Sequence, residues 1–502
     1  MSALGTVGPA LPRAVVRGRV RPRRVGRTTL EPLVLCGACA AGTTAAFQPL
    51  LALGGCAVVL LGALVWVRPA TAAYLLIGVT PLVAGIDRGV AIPFFRPNEA
   101  LLLVLGGTLA LRWLCGLRSG GVRFGRLDTV EIAIVLMAIT NSVTPLLTMA
   151  VRRQAITMDD LLYGLVLWKL VGLYFIVRAS VRTVREVRVC LLVSVTAACL
   201  VALIGILQGL DLLGVRGFLG HFYAQFGAAA LVTEIPRGGS TLSLPAATAD
   251  LMVMNLAVVA VLWIRTRRHT LLAGTVVALL VSGTLAAGEF SSTIGLVLGM
   301  LAVVVITGSL ALLGVFAAML VGGSLLLWPV ISVRLGEFAH ASGIPPSWVG
   351  RIQNLSTYFW PELTSHGNFL LGVRPSARVP VPSQITGYVW IESGYVWLLW
   401  GGGIPLLIAL LFFVRAAGGA AWRAARQRVD AVGAAGAGAF VGIVVVTVLM
   451  VFDPHVTYRG SADALFALLA LTAGAASRRR WSAGAQYVPG VEPGRRPAHV
   501  RS

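Results

Sequence analysis

The 502-residue sequence holds one lysine, Lys169, and 19 acidic side chains, and charged residues make up only 12% of it. So little charge cannot solvate a chain of this length, and a mean hydropathy of +0.86 excludes an ordinary soluble or disordered protein. The setting of the lone lysine, LVLWKLVGLYF, lacks the Gly-rich phosphate loop that nucleotide chemistry uses. No His/Asp/Glu cluster has metal-ligand spacing, so neither a metal nor another cofactor is expected. The six cysteines, Cys36, Cys39, Cys56, Cys115, Cys190 and Cys199, lie in or at the ends of apolar runs. Even the C-x-x-C of Cys36 and Cys39 sits in an Ala-rich stretch and reads as small packing residues rather than a redox or metal site.

What is present instead is apolar length. Runs of roughly 17 to 25 residues, enough to cross about 30 Å of hydrocarbon, recur along the chain. Candidate spans cover about residues 31–46, 49–67, 70–86, 98–116, 129–149, 161–177, 189–208, 244–264, 270–287, 292–308, 310–330, 390–414, 431–451 and 461–476. The fold class expected is therefore all-α, a polytopic transmembrane bundle of about 12 to 14 spans. Residues 1–29, with seven arginines and no acid, read as a basic cytoplasmic tail ahead of an uncleaved first span. Residues 30–476 form the membrane domain, and 477–502 read as a second basic cytoplasmic tail, Pro/Gly-rich and disordered.

The net charge of +22 comes from short arginine clusters between apolar runs, a topology signal rather than a nucleic-acid face. With both termini inside, 29 arginines fall on the cytoplasmic side and eleven outside: Arg88, Arg96, Arg152, Arg153, Arg216, Arg237, Arg334, Arg351, Arg374, Arg378 and Arg459. Two outer segments are long, 209–243 and 331–389, the second preceding the last three spans; both are expected to carry short helices on the membrane surface.

Topology does not require the outer arginines, so they are the informative ones. Arg237 lies in EIPRGGSTLSLPAATAD, Arg351 in WVGRIQNLSTYFW, and Arg374 and Arg378 in LLGVRPSARVP. Guanidinium groups grip phosphate oxygens in a bidentate fork, so the set in the two long segments points to an anionic substrate; anchoring to lipid phosphates is the plainer reading for any single one. The same segment carries His366 and leads to Glu392 in YVWIESGYVWLLWGGG, where Trp390, Tyr395 and Trp397 suit an interfacial belt. A carboxylate there suits a general base toward a sugar hydroxyl, or an acid stabilised at a helix N-terminus. Lys169, Asp250 and Glu289 lie in or beside spans; they serve a solute path or structural ion pairs, with pairing preferred.

Several pieces carry a resemblance through their order. These are ALIGILQGLDL followed by RGGSTLSLPAATADLMVMNLAV, then VSGTLAAGEFSSTIGLVLG, GRIQNLSTYFWPEL, HGNFLLGVRPSA and WIESGYVWLLWGGGIPLLIALLFF. Together, over roughly residues 90–475, they resemble the polytopic O-antigen ligase and polysaccharide polymerase family of bacterial envelope enzymes. Three positions depart from the family pattern. Glu289 and Ser291 stand where it has a break arginine, Arg374 replaces the second Gly of Gly-Val-Gly, and Glu392 replaces the ligase histidine. The last change is more similar to polymerases than to ligases.

The resemblance implies glycosyl transfer at the outer face of the bacterial cytoplasmic membrane. A glycan on polyprenyl diphosphate is the donor and a second glycan the acceptor, with membrane lipids and other polysaccharide-assembly proteins as neighbours. By position Arg237 and Arg351 hold the diphosphate, Arg374 and Arg378 assist, Glu392 orients or deprotonates the acceptor, and His366 and Tyr395 stand second in line. A transporter or flippase of lipid-linked glycans, working through Lys169, Asp250 and Glu289, is the competing class. A membrane assembly protein without catalysis is a third.

Overall fold

The computed structural model describes residues 49–118, 127–223, 237–336, 338, 346–381 and 387–485. The expected span at 31–46, the tail 1–29, Cys36, Cys39 and residues 486–502 lie outside them. The chain divides into two compact units, Met1–Leu60 and Leu61–Ser502, and of the first only helical residues 49–60 are described.

The chain is overwhelmingly helical. In order come α1 (Pro49–Val67), α2 (Ala70–Val83), α3 (Pro97–Arg118), α4 (Thr129–Val151), α5 (Met158–Gly164), α6 (Val166–Ser180), α7 (Val184–Gly209) and α8 (Val215–Phe222). Next are α9 (Pro245–Thr266), α10 (Thr270–Ala286), α11 (Phe290–Thr307), α12 (Ala311–Leu326), α13 (Trp328–Gly336), α14 (Pro346–Asn354), α15 (Trp360–Thr364) and α16 (Asn368–Leu371). A short antiparallel pair, β1 (Arg378–Pro380) and β2 (Tyr388–Trp390), then precedes α17 (Gly394–Gln427), α18 (Ala431–Leu449) and α19 (Ser461–Ala485).

Among the described residues, eight helical stretches are long and apolar enough to cross a membrane, and a ninth arises if α12 and α13, bent by 84°, count as one span. Four further apolar stretches are shorter: Ala52–Val67 within α1, Ala70–Val83, Thr270–Ala286, and Ser461–Ala473 within α19. The last helix is described to Ala485.

Local sequence sets the helix starts. Capping boxes built from Asp128 with Glu131, Thr157 with Asp160 and Thr183 with Glu186 open α4, α5 and α7, while Pro245 supplies a first-turn proline for α9. Packing then follows residue size. The glycines of α18 let it approach its neighbours closely: a Cβ at Gly436 would lie 2.9 Å from the Ala421 carbonyl, and one at Gly438 would lie 2.7 Å from a Val258 methyl. α9, buried along nearly its whole length, packs against α18, α10 and α11.

The helix ends gather into two polar ends. At one, Gly85 N–H donates to the Thr241 carbonyl (2.9 Å), Gly238 to Ala286 (2.8 Å) and Gly394 to Met450 (2.7 Å), tying five inter-helix segments together. At the other, Arg265 donates to the carbonyls of Ala425 and Arg428, and Arg426 to those of Val305 and Ile306, so cations satisfy helix C-termini. The first end carries the candidate site.

α17 is broken where three glycines precede Ile404 and Pro405. Gly403 takes φ 65° and ψ −157°, a conformation open essentially to glycine alone, and a Cβ there would collide with the Leu370 carbonyl. The break frees the Trp400 carbonyl, which accepts from Val373 N–H (2.7 Å) and Arg374 N–H (3.3 Å). Non-helical backbone in the apolar region thus finds its partners within the protein. The Gly-rich run docks the segment around Arg374 against the bundle.

Candidate functional site

A cleft with about 420 Å³ of empty space, including its open mouth, lies at the first end. Arg237, Arg334 and Arg351 line it with Glu289 and Ser291, and Phe290, Trp348 and Phe452 supply apolar wall. Each cation arrives from a different part of the chain. Arg237 precedes a tight turn at 240–242, and Arg334 sits near the end of α13, carried inward by the 84° bend. Arg351 ends the first turns of α14.

Every one of these guanidiniums has an acceptor. Arg351 Nη1 lies 2.9 Å from Asp453 Oδ2 and its Nε 3.8 Å from Glu392 Oε1. Arg237 Nη1 is 4.0 Å from Glu289 Oε1, and Arg334 Nε donates to the Gly288 carbonyl at 2.6 Å. Asn354 Nδ2 donates to the other oxygen of Glu392 (3.3 Å), and Ser291 hydroxyl to Glu289 (3.4 Å). The site is therefore a ring of side chains in which three cations face carboxylates at Arg237 and Arg351 and a backbone carbonyl at Arg334.

Burial sets the chemistry of this ring. The Asp453 side chain is 13% exposed, and burial pushes its carboxyl up to about 6 although Arg351 and His455 pull the other way. Burial also works against the charge of Arg351, but Asp453 and Glu392 more than offset it and hold the guanidinium above its ordinary value. Behind the ring, His455 Nδ1 lies 2.7 Å from Asp250 Oδ2, with both side chains buried. Burial opposes the imidazolium, yet Asp250 raises its pKa above the usual value. His455 Nε2 is buried and meets no hydrogen-bond partner among the described residues.

A second polar cluster gathers the remaining arginines of the long segment. Arg374 makes a bidentate pair with Asp160, Nε to Oδ1 at 2.9 Å and Nη2 to Oδ2 at 2.6 Å. Asp160 thereby serves both the α5 capping box and the docking of the segment. Arg378 lies 3.8 Å from Asp159, its guanidinium 4.4 Å from the Trp390 ring centre and 4.8 Å from that of Tyr388. Arg374 and Arg378 are thus engaged by Asp160 and Asp159 and do not line the cleft.

The expected site residues consequently separate. Arg237 and Arg351 line the cleft, and Glu392 joins it through Arg351. His366 is exposed, at φ 49° in a turn beside Asn368, whose side chain accepts from Arg152. Tyr395 donates its hydroxyl to the Thr447 carbonyl (2.7 Å) and so belongs to the contact of α17 with α18.

The three ionisable groups in or beside spans all have partners. Lys169 lies midway along the Met158–Ser180 stretch, yet its Nζ is 2.9 Å from Asp463 Oδ1 in the first turn of α19. Asp250 occupies the second turn of α9 and Glu289 immediately precedes α11, so these acids sit near helix starts. Among the described residues no three His, Cys, Asp or Glu side chains converge as for a metal ion. Cys56 and Cys115 are exposed and unpaired, and burial surrounds the free thiol of Cys190.

Sequence reasoning overlooked Arg334, Asp453 and His455 as contributors. Asp453 and His455 had a signal in FDPHVTYRG, an acid and a histidine between two apolar runs, the same signal that drew attention to Asp250. Arg334 had its place among the outer arginines and, at the α12–α13 bend that carries it, a local mark in Pro329 at the start of α13, which the reading of 310–330 as one span passed over. Comparison of the chain with protein-family models, with curated proteins and with solved structures finds no match.

Proposed function

We propose that this protein is a membrane glycosyltransferase that polymerises or ligates polyprenyl diphosphate-linked glycans, with polymerisation preferred, at the outer face of a bacterial cytoplasmic membrane. The observation that carries the reading is the convergence of Arg237, Arg334 and Arg351 on one cleft at one end of the bundle. Three guanidiniums at a membrane surface suit a diphosphate, whose oxygens each accept forked hydrogen bonds.

In this reading the acceptor hydroxyl oxygen attacks the anomeric carbon of the donor sugar. The bond from that carbon to the diphosphate oxygen breaks, and the lipid diphosphate leaves with the electron pair. Arg237, Arg334 and Arg351 neutralise the charge that develops on the leaving oxygen. Glu392, held by Asn354 at 3.3 Å and by Arg351 at 3.8 Å, accepts the hydroxyl proton. Arg374 and Arg378 hold the segment through Asp160 and Asp159 and do not touch the diphosphate.

A flippase would concentrate its ionisable groups along a path through the membrane midplane. Lys169, Asp250 and Glu289 instead each meet an ion-pair partner, and the two acids sit near helix starts, which favours the enzyme. The test is reconstitution in liposomes with a polyprenyl diphosphate oligosaccharide and gel analysis of the products. Chain extension by the wild type supports the reading, and donor translocation without a new glycosidic bond replaces it with the flippase.

A further inference from the structure

Among the described residues, the cleft is charge-balanced before any ligand enters. Arg237, Arg334 and Arg351 supply three positive charges, and Glu289, Glu392 and Asp453 three carboxylates, two of them on Arg351 itself. A disubstituted diphosphate carries two negative charges that do not titrate near neutral pH. Entering an already neutral ring, it forces either an ion-pair exchange that strands a carboxylate beside a phosphate, or protonation of that carboxylate. Stranding is costly where water is scarce, because like charges a few ångströms apart repel far more strongly at low dielectric than in water.

We infer that the cleft takes up one proton together with its dianionic diphosphate ligand, and that Asp453 holds that proton; the inference rests on the reading of the cleft as a lipid diphosphate site. Asp453 is the least exposed of the three acids, 13% against 16% for Glu289 and 31% for Glu392. Protonating it frees Arg351 from its closest partner, at 2.9 Å, to grip a phosphate oxygen. All the charged neighbours act on it together. Arg351 faces it from α14, Glu289 from the start of α11 and Glu392 from the chain entering α17, while His455, paired with Asp250 of α9, and Tyr458 lie on its own loop. Its carboxyl already stands at about 6 with no ligand bound, so an added dianion carries it through neutrality.

Linkage sets the sign. Below about pH 6 Asp453 is protonated in the free protein and affinity is at its maximum. Above that value each bound ligand must recruit a proton, so affinity falls about tenfold per pH unit until the carboxyl ionises in the complex as well. The balance is one carboxylate plus one proton giving one carboxylic acid, with no bond of the ligand broken.

The experiment is isothermal titration calorimetry of the full chain in detergent with farnesyl diphospho-N-acetylglucosamine as a soluble diester probe. It is run at pH 7 in two buffers of different ionisation enthalpy, and then across pH 5.5 to 8. Uptake of about one proton, with the tenfold slope, is expected for the wild type. Asp453→Asn should bind with the low-pH affinity at every pH and take up none. Binding without proton uptake overturns the inference alone, whereas no binding above an Arg237→Ala/Arg351→Ala background overturns the diphosphate reading with it. Should Asp453→Asn fail to fold, the two-buffer measurement on wild type still decides. Uptake that survives in Asp453→Asn and vanishes in His455→Gln moves the proton to the histidine and overturns the assignment.

Discussion

Arg351 and Asp453, 102 positions apart in the sequence, lie 2.9 Å from each other across the cleft, and the same guanidinium reaches Glu392 at 3.8 Å. The pair joins α14 to the loop between α18 and α19. Arg351→Ala leaves a mostly buried carboxylate uncompensated and is expected to cost about 2 kcal/mol, below the range for fully buried pairs because Arg351 is 27% exposed. Asp453→Asn in the same chain should restore most of that loss. Thermal unfolding in detergent of the single and double variants measures the coupling.

The raised carboxyl of Asp453 makes stability depend on pH in a definite direction. Its folded value of about 6 exceeds the ordinary 3.8, so the folded state binds more protons between these limits. Its contribution is complete below about pH 4 and is lost as pH rises through 6, a change on the order of 2 to 3 kcal/mol. The difference in unfolding temperature between wild type and Asp453→Asn, followed from pH 4 to 7, should shift toward the variant as pH rises and level off above 6.

Asp250 and His455 form a closed buried pair at 2.7 Å, with no exposed edge to admit water. Asp250→Ala strands the imidazole Nδ1 and should destabilise the protein by about 2 to 4 kcal/mol. Asp250→Asn, which keeps one hydrogen-bond acceptor, should lose less. Comparative unfolding at pH 6 checks the order.

Gly403 sits where only glycine fits. Gly403→Ala should cost on the order of 2 to 3 kcal/mol through its positive φ and the collision with Leu370, and should undock the segment that carries Arg374. Gly274→Ala in α10, where a Cβ meets nothing within 4 Å, should be neutral or stabilising by up to about 1 kcal/mol. Limited proteolysis in the 374–381 stretch reports the undocking.

Composition and apolar length carry most of the architecture: so hydrophobic a chain has little choice but to stack helices. The depth of individual groups is another matter. Lys169 lies midway along its apolar stretch and finds its partner in the first turn of α19, a pairing that hydropathy does not report because it does not show where neighbouring helices begin. Arg237, Arg351 and Glu392 stand out in the sequence through residue type and location, and the structure brings them to one cleft. Arg374 and Arg378 stand out equally but are drawn away by Asp159 and Asp160, acids at the start of α5 whose role as partners has no local signature. Tyr395 and His366 illustrate the same limit. A hydroxyl and an imidazole suit catalysis by type, and only the tertiary structure shows that one is spent on a backbone carbonyl and the other is exposed and does not line the cleft.

The central claim is that Arg237, Arg334 and Arg351 hold a lipid diphosphate. Its most direct test is the structure of the protein in lipid nanodiscs with an uncleaved polyprenyl diphosphate glycan, determined at a resolution that places the phosphates. The account predicts diphosphate density between Arg237 and Arg351, with guanidinium nitrogens about 2.7 to 2.9 Å from its oxygens. Density at Arg374 and Arg378 instead, with the cleft ring still closed by Asp453, would contradict it.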